Sequence, residues 1–278
     1  MTQLHFTETD GIGPSTRVWG KINCPHSSGY FRTRGEGNPA IGFFDDFLQV
    51  GNTSLYNGYI LLQTATGTVV QIASTATSPG AIRLGSLADN DEAVIQPGAG
   101  LDMGPFRFQK DLAFEARVMI NAAAIVADDH GFFIGMATGG AAGGAIANKL
   151  FSTGDVMAQC NHVGFQHLDG ESTALDANYA VTSGTVMDGS QDTDLDTVHT
   201  LVADTWVKLG FTFRAARPRK LEWFVDGVSA CSIGETEIAA AAFPDADAVF
   251  MQPTIGIRGA DATSAYLDVD WMACAQLY

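Results

Sequence analysis

The chain has 278 residues and carries 15 Lys and Arg against 31 Asp and Glu, so its formal net charge is −16. Nucleic acids and anionic membrane surfaces are bound by clustered cations, so this charge argues against both as partners. Hydrophobic residues make up 46% of the sequence and charged residues 17%, a balance that supplies a core and excludes wholesale disorder.

The first 40 residues differ from the rest in charge and composition. Their cations outnumber their carboxylates by one, so this segment is +1 and the remaining residues carry −17. The four cations are Arg17, Lys21, Arg32 and Arg34. The segment is rich in Gly, Pro, Ser and Thr and has no helical or strand period. These features predict an extended N-terminal arm at 1–40, followed by one domain at 41–278.

Targeting signals are not evident in the sequence. The polar, acidic start at 1–10 lacks the cationic and apolar stretches of a secretory signal. No apolar run approaches the roughly 18 residues of a membrane span. We therefore expect a protein that is made in the cytoplasm and does not insert into a membrane.

From residue 41 onward the sequence has the pattern of half-buried strands. Residues 112–121, 206–213 and 266–272 alternate apolar and polar side chains, as strands of an antiparallel sheet do. Shorter strands are predicted at 43–50, 69–74, 81–85, 93–96, 131–137, 162–166, 198–202, 221–225, 229–233 and 254–257. Short helices are predicted at 121–127 and 235–242. The many short strands predict an all-β protein, a two-sheet antiparallel jelly-roll sandwich.

Two local features refine this prediction. Asp226 and Gly227 separate two strand patterns and predict a two-residue hairpin. In the last strand, the alternation predicts that Trp271 faces the core in phase with the apolar residues before it, and that Asp268 and Asp270 are solvated on the other face.

Several segments resemble a known group of proteins. They are FFDDF at 43–47, AIRLGSLADNDEAVIQPG at 81–98, LAFEARVMI at 112–120, GFFIGMA at 131–137, HVGF at 162–165, LVADTWVKLGFTF at 201–213, LEWFVDGV at 221–228 and LDVDWM at 267–272. In order and spacing they are similar to concanavalin A-like jelly-roll proteins encoded by tailed bacteriophages. The resemblance covers about residues 41–278. It implies a two-sheet sandwich that serves as a virion structural component, on a fold that also serves lectin modules and glycan-cleaving enzymes.

Catalytic chemistry is not indicated by the residues. Glycoside hydrolysis needs two carboxylates facing each other across the bond. The E-x-D-x-x-E and E-x-D-x-E strands of the jelly-roll glucan hydrolases are absent. Cys160 and His162 are the only Cys and His placed to share a strand face, and two ligands do not make a structural zinc site. We therefore expect no catalytic residues, no enzyme activity and no cofactor.

A calcium site has weak support in the acidic segment 183–197. Asp192, Asp194 and Asp196 recur at every second residue, a spacing that lets an extended loop direct three carboxylates at one hard cation. The Gly and Glu that would complete an EF-hand loop are missing, so a solvated acidic loop is the preferred interpretation.

The leading functional hypothesis is a non-enzymatic capsid decoration or cement protein, assembled in the host cytoplasm and located on the virion surface. Its partners would be the major capsid protein and further copies of itself, with a trimer favoured at local threefold positions. The predicted partner-binding residues are Arg17, Trp19, Lys21, Arg32 and Arg34. For Trp19, packing back onto the sandwich is an equal alternative. The alternative function is a glycan-binding, host-attachment module, with its site near 138–148 and 183–197.

Overall fold

The computed structural model describes residues 14–19, 29–32, 40–45, 47, 59–63, 68–71, 80–86, 91–97, 106–121, 130–138, 151, 160–168, 173–182, 185–247, 249–259 and 265–277. Its helices are α1 (Thr16–Trp19) and α2 (Glu235–Ile238). Its strands are β1 (Gly29–Arg32), β2 (Ala40–Asp45), β3 (Tyr59–Gln63), β4 (Thr68–Gln71), β5 (Ile82–Ser86), β6 (Glu92–Pro97), β7 (Leu112–Ile120), β8 (His130–Thr138), β9 (His162–His167), β10 (Ala174–Ala180), β11 (His199–Thr200), β12 (Trp206–Arg214), β13 (Lys220–Val225), β14 (Val228–Ile233), β15 (Met251–Gly259) and β16 (Ala265–Leu277). Neither helix of this described part is long enough to cross a membrane.

These strands form two antiparallel sheets, as the alternating pattern predicts. The nine-stranded sheet has the order β1-β2-β16-β7-β12-β13-β14, with β5 paired to β16 and β4 paired to β5. The seven-stranded sheet has the order β11-β10-β9-β8-β15-β6-β3. The β13–β14 hairpin turns at Asp226 and Gly227, whose φ angles of 49° and 75° are both left-handed, as this two-residue turn requires.

The two sheets pack face to face over one apolar core. Phe114 and Val118 of β7 and Phe132 and Ile134 of β8 are fully buried in it. Side chains of this size contribute about 1.5–3 kcal/mol each when they leave water. Trp223 of β13 donates its indole N–H to the main-chain oxygen of Gly164 at 2.9 Å, so a hydrogen bond joins the sheets across the core.

A β-bulge in β16 corrects the predicted facing of the last strand. The pairing register with β7 shifts between Val269 and Trp271. Leu267 and Val269 therefore face the core, whereas Trp271 joins a separate apolar cluster on the outer face of the nine-stranded sheet. One inserted residue moves every later side chain to the opposite face, which strict alternation cannot show.

The prediction that Asp268 and Asp270 are solvated is wrong. Their residues are only 3% and 7% exposed, and each carboxylate is paired with an arginine. Arg83 binds Asp268 at 2.7 Å, and Arg117 binds Asp270 while its guanidinium lies 4.5 Å from the ring centre of Trp206. Both carboxylates on the outer face of this strand are thus buried and charge-paired.

Parts of the segment 1–40 belong to the sandwich. Strand β1 pairs with β2 and ends the nine-stranded sheet, and α1 packs against β7 and β12. Apart from residues 14, 15 and 40, the other residues of 1–40 lie outside the described residues, so the boundary at residue 40 stays a prediction. Helix α2 begins where the sequence predicts and ends at Ile238. The predicted helix 121–127 lies outside the described residues after Asn121.

Candidate functional site

Helix α1 is held on the outer face of the nine-stranded sheet by a second apolar cluster. Val18 and Trp19 are 2% and 6% exposed there. The other buried members of the cluster are Phe44, Ala113, Phe224, Trp271, Ala273 and Ala275. We call these six residues, together with Glu115, the α1 groove.

Glu115 provides the polar contact of the α1 groove. Its Oε2 accepts hydrogen bonds from the main-chain N–H of Ser15 at 2.9 Å and from the indole N–H of Trp19 at 2.8 Å. Gly210 leaves the space for this side chain, because a Cβ there would lie 3.0 Å from Glu115 Cγ. Burial raises the pKa of the Glu115 carboxyl, and the two donors and the charge of Lys208 oppose that rise.

The predicted partner-binding residues are placed differently from one another. Trp19 packs onto the sandwich, which is one of the two alternatives predicted for it. Arg17 of the same helix is exposed, and its charge contributes to lowering the pKa of Glu222. Arg32 lies in β1, and Lys21 and Arg34 lie outside the described residues. Their role in binding a partner stays a prediction.

The outer face of the seven-stranded sheet carries buried polar side chains in two networks. In the first, Gln96 donates to Thr254 Oγ1 at 2.7 Å and accepts from the amide of Gln252 at 3.0 Å. In the second, the amide of Asn178 donates to Gln166 Oε1 at 2.7 Å, and the amide of Gln166 donates to Asp188 Oδ2 at 3.1 Å. We call the second set the aspartate network.

An apolar patch separates the two networks. Its buried members are Val94, Phe133, Ala137, Phe151 and Cys160. The Phe133 ring lies over paired glycines of β8 and β9, because a Cβ on Gly164 would be 2.8 Å from it and a Cβ on Gly135 would be 2.9 Å from it. Without side chains at these two positions, the sheet has room for an aromatic ring on its outer face.

His162 lies beside the aspartate network and is fully buried. Its Nδ1 is 3.0 Å from the main-chain oxygen of Cys160 and 3.8 Å from Cys160 Sγ, so the predicted shared face of the two residues is confirmed. Burial lowers the pKa of His162 to about 4, so the ring is neutral at pH 7. Among the described residues, neither His162 Nε2 nor Asn178 Oδ1 has a hydrogen-bond partner.

Residues 185–197 of the acidic segment form a chain of turns that contributes Asp188 to the aspartate network. Asp188 Oδ1 accepts from both the N–H and the hydroxyl of Ser190, and Asp192 Oδ1 accepts from the N–H of Asp194 at 3.0 Å. Asp196 accepts from the Thr197 hydroxyl at 2.7 Å. Within the described ranges no group of three or more His, Cys, Asp or Glu is placed to hold a metal ion, and calcium binding by Asp192, Asp194 and Asp196 stays a prediction.

Sequence analysis did not single out Glu115, Gln166, Asn178 or Asp188. The first three are polar residues within strands whose core-facing positions are apolar, in LAFEARV, HVGFQH and ALDANYA. Such a polar residue at an outward position is the available signal, because a polar side chain buried in a strand must find hydrogen-bond partners.

The fold is shared with carbohydrate-active and carbohydrate-binding proteins. No family model and no curated protein matches the chain. Among solved structures it is similar to an endo-1,3-beta-glucanase from Streptomyces sioyaensis, with 15% identity, 92% of this chain and 99% of that chain covered, and a TM-score of 0.54. It is also similar to an endo-beta-1,4-glucuronan lyase from Trichoderma reesei, with 10% identity, 84% of this chain and 94% of that chain covered, and a TM-score of 0.55. A third similar structure is the carbohydrate recognition domain of Emp46p, with 10% identity, 83% of this chain and 94% of that chain covered, and a TM-score of 0.54. Identities this low show the fold alone, and they confirm a concanavalin A-like jelly-roll sandwich.

Proposed function

We propose that this chain is a virion structural protein of a tailed bacteriophage that decorates the outer surface of the capsid and stabilises the shell. The observation that carries the proposal is the attachment of α1. Ser15 and Trp19 bind the buried Glu115, and Arg17 between them stays exposed. The most basic segment of an acidic protein is therefore fastened to the sandwich at a defined point, with a cation directed outward.

The charge distribution supports the same function. Exposed carboxylates of the described sandwich include Asp194, Asp196, Asp204, Asp226 and Asp247, all of them in turns and loops. Net negative charge on the solvent side keeps particles apart, and a cationic segment directs the protein to a complementary surface. The major capsid protein and neighbouring copies of this chain are the partners that the function requires.

Co-sedimentation of the purified full chain with undecorated capsids tests the proposal. We expect binding at high copy number per particle and at least a tenfold weaker affinity for Arg17→Glu. Arg217→Glu is the matched control, because the Arg217 side chain is 83% exposed and lies between β12 and β13, outside the N-terminal segment. Absence of wild-type binding, or equal loss in both variants, would overturn the role of the N-terminal segment in docking.

A glycan-binding function is the second candidate, and the exposed polar rim beside the aspartate network favours it. Amide and carboxylate groups are the usual partners of sugar hydroxyls, and Ser190 and Gln191 form an exposed rim above Asp188. The similar folds include one named as a carbohydrate recognition domain and two named as polysaccharide-degrading enzymes.

A glycan array separates the two functions. Binding to defined glycans that is lost in Gln191→Ala but kept in Ser229→Ala, an exposed residue on β14, would support host attachment. An array without hits, together with high copy number on the particle, would reject glycan binding and leave decoration.

A further inference from the structure

We propose that the α1 groove is an exchange site, which in the assembled protein binds residues 14–19 of a second copy instead of its own. The inference rests on the proposed decoration function and extends it, because exchanged helices would tie neighbouring copies together on the shell. Its basis is the construction of the groove and the length of chain that connects α1 to the sandwich.

The groove is built to recognise one helical turn. Its carboxylate, Glu115, is fully buried, and both of its hydrogen-bond donors belong to the occupant. Ser15 and Trp19 are four residues apart. The main-chain N–H of Trp19 donates to the Ser15 carbonyl at 3.1 Å, and this helical turn brings the Ser15 N–H and the Trp19 indole to the same carboxylate. The apolar floor receives Val18 and the indole ring. The ligand class is therefore a peptide turn that presents a main-chain N–H four residues before a Trp.

Helix α1 depends on the groove for its structure. It has four residues, whereas isolated helices shorter than about 12–15 residues are marginal in water. The helix thus forms where Glu115 and the apolar floor are available to it. The groove of a second copy offers the same contacts as the helix's own groove, so exchange gains and loses no contact within the site.

The connecting chain is long enough for exchange. Ten Cα–Cα steps separate Trp19 from the start of β1 at Gly29, a reach of about 33–36 Å when extended. Helix α1 lies over β7 and β12, three and four strands from β1, which at about 4.8 Å per strand is about 14–19 Å. Roughly half of the reach is in excess of what the helix's own groove requires.

Concentration decides between the two arrangements. A short linker holds α1 near its own groove at an effective concentration of the order of millimolar. A dilute chain is therefore expected to keep its own helix, and close packing of copies on a capsid favours exchange. The experiment therefore uses variants in which α1 cannot dock into the groove of its own chain.

Complementation between two full-length variants tests the exchange. Trp19→Ala leaves the groove intact but removes the anchor, and Glu115→Leu leaves the anchor intact but removes its acceptor. Each variant alone is expected to sediment as a monomer at hundreds of micromolar. An equimolar mixture is expected to form a heterodimer, because only the intact anchor and the intact groove of different chains can combine.

A mixture of Trp19→Ala with Glu115→Gln is the matched control. Gln keeps an acceptor oxygen, so that chain retains its own helix, and the heterodimer fraction should be at least tenfold lower. If Glu115→Leu lost cooperative unfolding, Gly210→Ala replaces it, because the added Cβ would lie 2.7 Å from the Phe114 oxygen and displace Glu115. A test mixture that sediments as the sum of its components overturns the exchange. Complementation without capsid binding overturns the decoration function and leaves the exchange standing.

Discussion

The indole N–H of Trp19 donates a 2.8 Å hydrogen bond to the carboxylate of Glu115, which lies 96 residues further along the chain and is fully buried. The same oxygen accepts the Ser15 N–H, so one side chain of β7 satisfies two donors of the N-terminal segment. This pair converts a stretch with no secondary-structure pattern into a fixed part of the sandwich. It also makes Glu115 the residue at which the attachment of the segment can be measured.

Replacing Glu115 by Leu should release α1. The main-chain N–H of Ser15 and the indole N–H of Trp19 would lose their acceptor. Each of these donors that stays buried costs about 1–3 kcal/mol. Undocking of the helix limits the loss, so we expect a drop in the free energy of unfolding within that range, measured by urea titration. Glu115→Gln preserves an acceptor oxygen and should stay close to wild type. Equal destabilisation by both substitutions would contradict the assigned hydrogen bonds.

The pH dependence of Glu115 follows from its raised pKa. Burial favours the protonated form in the folded state over the ordinary value of 4.5. Its contribution to stability is therefore complete below pH 4.5 and is lost as the pH rises through the raised pKa. The quantity to measure is the free energy of unfolding of the wild type minus that of Glu115→Gln. This difference should be smaller at pH 7 than at pH 4.5, because the Gln variant does not titrate. A difference that does not change with pH would refute the raised pKa.

Strand positions were largely predictable because apolar alternation is imposed by the two faces of each sheet. Strands β7, β12 and β15 coincide with or extend predicted ones. The alternation fails at the bulge before Trp271, because an inserted residue leaves no mark in composition. Strand β10 was also missed, since ALDANYA places Asp176 and Asn178 where a solvated loop would place them. Tertiary hydrogen bonds, absent from a local pattern, allow these two residues to be buried.

The candidate sites were less predictable than the fold. The sequence left two alternatives for Trp19, binding a partner or packing onto the sandwich, and it gave no sign of Glu115 as its acceptor, because pairing over such a separation has no local signature. The regular spacing of Asp192, Asp194 and Asp196 suggested a cation site. In the turns, the carboxylates of Asp192 and Asp196 accept local hydrogen bonds, and Asp194 donates its main-chain N–H to Asp192.

His162 should make the sandwich sensitive to acid. Burial lowers its pKa from 6.5 to about 4, so the unfolded chain binds a proton first as the pH falls. Stability is thus complete above pH 6.5 and is lost as the pH falls toward 4, by up to about 3 kcal/mol. His162→Gln should flatten this loss in urea titrations at pH 7 and pH 4.5. An unchanged slope in the variant would show that His162 titrates as an exposed histidine does.

Asp270→Asn should be among the most damaging single substitutions on the nine-stranded sheet. Arg117 and Asp270 have side chains that are each 9% exposed, so the change leaves a buried guanidinium without its counter-charge. The expected cost is about 3–5 kcal/mol. Asp268→Asn is the comparison, because the Arg83 side chain is 36% exposed and water can solvate it. In thermal unfolding, the midpoint temperature of Asp270→Asn should lie well below that of Asp268→Asn. The reverse order would contradict the argument from burial.

Gly135→Ala should destabilise the centre of the seven-stranded sheet. A Cβ at this position would lie 2.3 Å from the Val163 oxygen and 2.5 Å from the Gly164 Cα, both of them main-chain atoms of the paired strand. Main chain cannot rotate away as a side chain can, so β8 and β9 must separate, at a cost of about 1–3 kcal/mol or more. Gly234→Ala is the control, since the nearest atom to its Cβ would be Glu237 Oε2 at 3.7 Å. A loss in Gly135→Ala no larger than in Gly234→Ala would mean that the two strands do not approach at these glycines.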